Sequence, residues 1–292
     1  MSASLFDGTF YQRVAALRPL IRKKSVLNYQ GRRKSSHKGS SAEFSDFREY
    51  LPGDDVRRID WNVYARLDKP FIREYMEERE SAVNLFLDMS GSMGYYGKDR
   101  LAKQLTGVFA CSTLAGLDRL TLHIVGSGQV DAFRFSGGKS HVQRALDAVE
   151  KAQPAGRVDL YEAVRSTPYL PSGMTVLISD FMEERFLEKG SELLRYLKYR
   201  RQEPVLLQVL AKEEEKIEEF GTYNLEDGEG VYDTVRLTLD EKTVSGYQKE
   251  LESFLKELEK MADAAQASYY KCTTEKTYDR LLLGELRPLF AS

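Results

Sequence analysis

After residue 81 the chain alternates short apolar runs with longer segments in which apolar residues recur at helical spacing. Short buried runs are typical of parallel strands, and amphipathic segments are typical of the helices that connect them. The predicted strands are 83–88, 119–125, 129–135, 174–180, 203–211 and 267–272. The predicted helices are 98–118, 139–152, 159–166, 183–200 and 241–265. This alternation predicts an α/β fold with a mostly parallel, Rossmann-like sheet flanked by helices.

The first 80 residues follow a different pattern. An amphipathic helix is predicted over 9–27, and a segment rich in Gly, Ser, Lys and Arg at 28–44 predicts an exposed loop. Two strand-like stretches follow at 57–65 and 69–76. We therefore expect an N-terminal unit of helix, basic loop and small strand-containing part over 1–80, and a sheet domain over 81–292. One extra strand is expected at 231–240 within that domain.

The composition is that of a folded protein in water. With 42% hydrophobic and 30% charged residues, the chain is neither low-complexity nor wholly disordered. No apolar run approaches the roughly 18 residues of a membrane-spanning helix, and the N-terminus lacks the pattern of a secretory signal. Cys111 and Cys272 are the only cysteines, and neither belongs to a CxxC pair, so no disulfide framework or zinc site is expected. These features predict a cytoplasmic protein.

Charge is distributed unevenly along the chain. The formal net charge is −2, yet the first 42 residues contain nine Lys and Arg and a single Asp. The basic segment 22–38 could neutralise nucleic-acid phosphates. It contains only Tyr29 as a residue able to stack on bases, and the rest of the chain is acidic, so nucleic-acid binding is disfavoured. A solvated arm, or one that contacts an acidic surface, is the favoured interpretation.

Polar side chains gather where two predicted strands end. Asp88, Ser90 and Ser92 follow strand 83–88, and Asp180 ends strand 174–180. Open parallel sheets bind ligands at the carboxyl ends of their strands. Carboxylate and hydroxyl oxygens are suitable ligands for Mg²⁺. The pattern predicts either a magnesium site or a polar turn whose hydroxyls bond to backbone groups.

Two segments carry a family resemblance. Asp-Met-Ser-Gly-Ser, beginning at Asp88, resembles the DxSxS element of von Willebrand factor A domains, where it helps form a metal-ion-dependent adhesion site. Residues 47–80 resemble the bacterial family named domain of unknown function 58, whose GDDxRxIDW hallmark corresponds to 53–61, followed by Ala65 and Arg66. The resemblance implies a fold like von Willebrand factor A, a non-enzymatic binding role and a MoxR-type AAA+ ATPase as partner.

The resemblance also implies a degenerate metal site. Its third element is a Thr before an acidic or amide residue, and Val158 stands in the position of that Thr. Valine offers no oxygen, so a metal would lose one direct ligand. Asp159 is a possible substitute, although with Glu162 it also fits a helix N-cap, which we favour. The metal ligands that the resemblance implies are Asp88, Ser90, Ser92 and Asp180, with Mg²⁺ as the candidate cation.

A cluster of charges surrounds the single tryptophan upstream of the sheet domain. Its members are Gly53, Asp54, Asp55, Arg58, Asp60, Trp61 and Arg66. In a structural interpretation, Asp60 pairs with an Arg while Trp61 packs the small unit onto the sheet domain. In a functional interpretation, the cluster is a docking surface for a partner. The structural interpretation is favoured because tryptophan is usually largely buried.

Two enzyme classes are disfavoured by the residues around Asp88. Haloacid dehalogenase-like phosphatases need a second Asp two residues after the nucleophile, and Ser90 stands there instead. A serine hydrolase needs a GxSxG elbow and a positioned His, which the chain lacks. We therefore expect a non-enzymatic protein-interaction or adaptor module. The alternatives are a metal-independent scaffold, a nucleic-acid-binding protein and a Mg²⁺-dependent hydrolase.

Overall fold

The computed structural model describes residues 4–14, 42–50, 56, 59–77, 82–126, 128–218, 220–225 and 234–290. The chain forms two compact units. The small unit comprises residues 31–80, and the sheet unit comprises residues 1–30 together with 81–292. The N-terminal residues thus group with the sheet unit, whereas the sequence pattern placed them with the small unit. The basic segment 22–38 lies outside the described residues.

Strands and helices alternate along the described part of the chain. The strands are β1 (Ala42–Glu49), β2 (Phe71–Glu77), β3 (Ala82–Asp88), β4 (Arg119–Gly126), β5 (Gln129–Phe135), β6 (Gly173–Ser179), β7 (Gln202–Leu210), β8 (Gly221–Leu225), β9 (Val235–Leu239) and β10 (Ser268–Thr273). The helices are α1 (8–14), α2 (Trp61–Leu67), α3 (Lys98–Ala115), α4 (Val142–Lys151), α5 (Leu160–Arg165), α6 (Glu184–Tyr199), α7 (Lys212–Glu215), α8 (Glu241–Ala264), α9 (Tyr278–Leu283) and α10 (Arg287–Phe290).

Six strands form the sheet of the sheet unit, in the order β10-β7-β6-β3-β4-β5. All neighbours are parallel except β4 and β5, which are antiparallel. The central strands β3 and β6 are almost completely buried, as expected for strands covered on both faces. The predicted α/β fold with a mostly parallel sheet and flanking helices is confirmed.

The register of β3 and β6 positions the ends of both strands. They pair from Ala82 opposite Gly173 to Leu87 opposite Ile178, so Asp88 and Ser179 reach the same level. A Cβ atom on Gly173 would lie 2.0 Å from the carbonyl oxygen of Ala82. The close approach of the two backbones therefore requires glycine at the start of β6.

Two apolar clusters cover the two faces of the sheet. Leu85 and Leu87 belong to one cluster and Phe86 to the other, because successive side chains of a strand point to opposite faces. Phe10 and Val14 of α1 are buried in the first cluster. Burial of these apolar side chains explains why the N-terminal residues group with the sheet unit.

The small unit contains an antiparallel hairpin with a helix between its strands. β1 pairs with β2, and α2 occupies the connection. The expectation of a strand over 57–65 was wrong, because α2 begins at Trp61. The Oδ1 atom of Asp60 accepts hydrogen bonds from the backbone N–H groups of Asn62 and Val63, at 2.9 and 3.3 Å, and so caps the helix.

The extra strand expected at 231–240 corresponds to β9. It pairs antiparallel with β8 in a separate two-stranded sheet, so it does not extend the main sheet. The short strand β8 was not anticipated, since it follows the charged run 212–219 without apolar alternation. Within the described residues, no helix is both long enough and apolar enough to cross a bilayer.

Candidate functional site

The first part of the candidate site is the loop that follows β3. The backbone N–H of Ser90 donates to the Oδ1 atom of Asp88 at 2.8 Å, which turns the chain sharply at the end of the strand. A short 3₁₀-helix, Gly91–Gly94, comes next and places the hydroxyl of Ser92 beside that of Ser90, with 3.1 Å between the two oxygens. The loop is thus organised by its own side chains.

The second part is the end of β6. The hydroxyl of Ser179 donates to the Oδ2 atom of Asp88, with 2.5 Å between the oxygens, and accepts from the N–H of Phe181 at 2.9 Å. The Oδ1 atom of Asp180 accepts from the N–H of Met182 at 3.1 Å, and its Oδ2 atom accepts from the hydroxyl of Ser92 at 2.9 Å. Asp88 and Asp180 therefore lie at the same edge of the sheet, joined through serine hydroxyls.

A lysine that the sequence pattern did not single out completes this network. Lys98 is the first residue of α3, and its side chain is only 1% exposed. Its Nζ atom lies 3.0 Å from Asp180 Oδ2 and 2.5 Å from Glu214 Oε1 in α7. The other carboxylate oxygen of Glu214 accepts from the N–H of Ala211 at 2.8 Å, which fixes the orientation of the side chain.

One signal could have drawn attention to Lys98. A positive charge in the first turn of a helix opposes the helix dipole, so a lysine at that position needs a compensating partner. The partners, however, follow β6 and β7, and are 82 and 116 residues away in sequence. Nothing in the local pattern indicates which carboxylates they are.

The electrostatics of the site follow from this burial. Burial raises the pKa of Asp88 to about 6, and the negative charge of Asp180 adds to the effect, while hydrogen bonds from Ser179 and Ser90 oppose it. Burial alone would lower the pKa of Lys98. The carboxylates of Asp180 and Glu214 outweigh burial and hold the pKa of Lys98 above its ordinary value. The site therefore retains a protonated lysine at neutral pH.

The loop before α5 forms a third side of the site. Val158 is buried, and Asp159 caps α5 by accepting from the N–H of Glu162 at 2.7 Å. Asp159 also pairs with Arg185, which contacts Glu162 as well, at 3.3 Å. The cap that we favoured for Asp159 is therefore formed, although Glu162 pairs with Arg185 and not with the capping backbone.

Glu183 is a further acidic residue of this region that the sequence analysis missed. Its Oε2 atom accepts from the N–H of Leu160 at 2.9 Å. Burial raises the pKa of Glu183 to about 7, the hydrogen bond from Leu160 opposes the shift, and the charges of Asp159 and Asp88 add to it. Glu183 thus contacts the start of α5 and is affected by the charge of Asp88. Neither relationship can be recognised from the residues next to Glu183 in sequence.

The residues present do not fit a divalent cation in this arrangement. Both oxygens of Asp88 and both of Asp180 already accept hydrogen bonds, and Val158 contributes no oxygen. The ammonium of Lys98 lies against Asp180 Oδ2, where a metal ion would meet a fixed positive charge. Within the described ranges, no three or more His, Cys, Asp or Glu side chains are grouped so that they could hold a metal.

The upstream cluster is described only in part. Gly53, Asp54, Asp55 and Arg58 lie outside the described residues. Asp60 caps α2, Arg66 lies in its last turn, and Trp61 is 64% exposed with its ring edge-on to Tyr64. Most of the Trp61 side chain is therefore exposed, unlike the packed tryptophan of the structural interpretation.

The described histidines do not contribute to the site. His37 lies outside the described residues. His123 is buried in β4, where its ring stacks on Phe86 at 4.1 Å between centroids, and no hydrogen-bond partner reaches either ring nitrogen. Burial lowers the pKa of His123 to about 4, and the charge of Arg134 contributes. His141 lies in the short 3₁₀-helix before α4.

Comparison with known proteins identifies one matching family. The model of the family described as "Protein of unknown function DUF58" matches residues 46–253. The uncharacterized proteins Rv1480 of Mycobacterium tuberculosis and Mb1516 of Mycobacterium bovis are 32% identical to the chain over 154 residues, which is 49% of this chain and 48% of theirs. The chain thus spans about half the length of these relatives.

Solved structures with a similar fold include two bacterial proteins. The match with BatB from Bacteroides thetaiotaomicron covers 72% of this chain and 98% of the BatB chain, with 16% identity and a TM-score of 0.42. The match with the von Willebrand factor type A protein from Catenulispora acidiphila covers 60% of this chain and 43% of that protein's chain, with 14% identity and a TM-score of 0.37. The fold assignment rests on the sheet order and strand directions described above.

Proposed function

The chain belongs to the family of proteins of unknown function DUF58, and we propose that its sheet unit is a non-catalytic protein-interaction module. The proposed binding face is formed by the loops that follow β3 and β6 at the carboxyl edge of the sheet. One observation carries the proposal: the hydrogen bond from Ser92 to Asp180, 2.9 Å long, ties the two loops into a single frame. A preorganised frame lowers the entropic cost of binding a partner.

Exposed side chains on both loops supply a contact surface, which we call the rim and define as Tyr95, Tyr96 and Met182. They are 46%, 61% and 42% exposed. Aromatic residues and methionine are enriched where proteins bind one another. Tyr96 has a φ angle of +52°, and Phe181, next to Met182, has one of +57°. Left-handed backbone conformations are costly for residues other than glycine and cluster at binding sites, so they support a binding role for both loops.

The partner is the more specific part of the proposal. The resemblance to domain of unknown function 58 implies a MoxR-type AAA+ ATPase, and we take such an ATPase as the first partner to test. A cytoplasmic location is part of the same proposal, because an AAA+ ATPase needs ATP. The alternative is a scaffold in which the hydrogen-bonded loops are only structural. The observation in support of this alternative is that every carboxylate oxygen of Asp88 and Asp180 already accepts a hydrogen bond.

The test compares two exposed tyrosines of the sheet unit. Tyr96 is on the proposed face, whereas Tyr199, which is 85% exposed, ends α6 near the amino end of β7 at the opposite edge of the sheet. Binding of each variant to the purified ATPase from the same host is measured by biolayer interferometry. We expect Tyr96→Ser to weaken binding by about tenfold or more, as for an interface residue worth at least about 1.4 kcal/mol. Tyr199→Ser is expected to bind like the wild type.

Met182→Ser tests the second loop in the same assay and is expected to weaken binding as well. Thermal melts show whether each variant remains folded. If the ATPase binds the wild type, Tyr96→Ser and Met182→Ser with equal affinity, the rim is not the binding surface. If the ATPase fails to bind the wild type, the choice of partner is wrong, and a pull-down from the native host with the same variants then tests the face itself.

A further inference from the structure

The structure places a positive charge inside the candidate site. The side chain of Lys98 is 1% exposed, and its two carboxylate partners, Asp180 and Glu214, are 5% and 20% exposed. Its ammonium group joins α3 to the loop after β6 and to α7. It therefore connects three segments that are distant in sequence.

Two costs make this placement informative. An ammonium group loses its hydration when it is buried, and the amino end of α3 repels positive charge. The carboxylates that face Lys98 offset both costs, so removal of the lysine would leave Asp180 and Glu214 near each other without this counter-charge. The lysine thus provides the positive charge that the carboxylates require.

We propose that the ammonium group of Lys98 is the resident cation of this site, in place of a divalent metal ion. The site then holds its loops together and presents the rim to a partner without Mg²⁺. The inference rests on the proposed function only for the role of the rim. Metal binding is measured without any partner, so the inference about Lys98 and the proposed function can each fail separately.

Two observations and one electrostatic argument oppose the presence of both cations in the site. Asp180 Oδ2 already accepts from Lys98 and from Ser92. The remaining carboxylate oxygens of Asp88 and Asp180 accept from the N–H groups of Ser90 and Met182 and from the hydroxyl of Ser179. A dication near this ammonium would meet strong repulsion, because charges interact strongly where water is excluded.

Val158 fits the same account. It is buried at the position where the metal-binding pattern has Thr, and it offers no oxygen that could bind a metal. A site that is balanced by a lysine needs no such oxygen. We therefore expect that removing the Lys98 charge and placing Thr at position 158 together would allow the site to bind a divalent metal ion.

The experiment measures Mn²⁺ binding to the full chain by electron paramagnetic resonance, with Mn²⁺ as the probe for a divalent site. The wild type is compared with the double variant Lys98→Met, Val158→Thr. The matched control is Lys103→Met with Val158→Thr, because Lys103 is also buried in α3 but pairs with Asp99, at 3.2 Å, and not with the site. We expect Mn²⁺ to bind to the Lys98 double variant, and neither to the wild type nor to the control.

Thermal melting of the wild type provides a second measurement that does not depend on folding of a variant. A resident metal raises the melting temperature by mass action, and its removal lowers it. We expect the same melting temperature in millimolar Mg²⁺ and in EDTA. Stoichiometric Mn²⁺ binding by the wild type, a melting temperature that rises with Mg²⁺, or a folded Lys98 double variant that binds no Mn²⁺ would each overturn the proposal.

Discussion

The hydroxyl of Ser179 donates to the Oδ2 atom of Asp88, with 2.5 Å between the two oxygens, and so joins the ends of the adjacent strands β6 and β3. The register of the two strands brings these residues to the same level, and the buried hydrogen bond then fixes the orientation of the carboxylate. Since Asp88 also orients Ser90, the position of the loop after β3 depends on a residue of the neighbouring strand.

Ser179→Ala is expected to destabilise the protein by about 1–3 kcal/mol, because the buried carboxylate of Asp88 loses a donor. The free energy of unfolding is measured by urea titration. Ser166→Ala is the control, since Ser166 is exposed and its hydroxyl makes only a 3.5 Å hydrogen bond to Ala163 O. Equal stability of the two variants would show that the Asp88 contact contributes little.

Lys98→Met is expected to cost about 3–5 kcal/mol, because Asp180 and Glu214 are left without the charge that they face. Lys103→Met provides a comparison within α3. Asp99, the partner of Lys103, is 27% exposed, so water can solvate it after the lysine is lost. We expect a smaller loss for Lys103→Met in the same urea titration, and an equal loss would argue against a special role of Lys98.

The raised pKa of Glu183 gives a pH dependence with a definite sign. The folded state holds this proton up to about pH 7, whereas the ordinary pKa is 4.5. The stabilising contribution of protonated Glu183 is therefore complete below about pH 4.5 and is lost as the pH rises through about 7. Glu183→Gln is expected to lose less stability than the wild type between these pH values, as measured by urea midpoints. The exposed neighbour Glu184 serves as control, and Glu184→Gln is expected to follow the wild type.

His123 is expected to change the stability with pH in the opposite direction to Glu183. Its pKa is about 4 in the folded state and 6.5 ordinarily, so the unfolded state binds the proton more tightly. The stability that depends on neutral His123 is present above about pH 6.5 and is lost as the pH falls toward 4. His123→Leu is expected to resist this acid destabilisation in thermal melts. His141→Leu is the control, and an unchanged acid slope in His123→Leu would exclude His123 as its source.

Gly173→Ala tests the strand register on which the site depends. The new Cβ atom would lie 2.0 Å from Ala82 O, so β3 and β6 must separate, and we expect a loss of about 3 kcal/mol or more. Gly246→Ala, in α8, meets nothing within 4 Å and is expected to stabilise by about 1 kcal/mol. Calorimetric melting of both variants checks the two signs, and a neutral Gly173→Ala would contradict the register.

Local errors in the sequence analysis have a common physical cause. The first part of α2 was expected to belong to a strand because residues 57–65 look strand-like, whereas the helix is started by the side chain of Asp60, which accepts hydrogen bonds from two N–H groups. α1 was grouped with the basic segment and the small strand-containing part in one N-terminal unit over 1–80. Its buried residues Phe10 and Val14 instead pack in the core of the sheet unit. Side-chain caps and long-range packing overrode the local pattern in both places.

The sequence by itself determined the order along the chain of the six main-sheet strands and of the five long helical segments between them, because each buried strand and each amphipathic helix requires its own pattern of apolar residues. It also placed Asp88 and Asp180 at one edge of the sheet, since parallel strands end together. Only the tertiary structure decided that Lys98 and Glu214 join them, because charges distant in sequence meet through chain folding that no local spacing records. For that reason the two carboxylates were predictable, and the lysine that balances them was not.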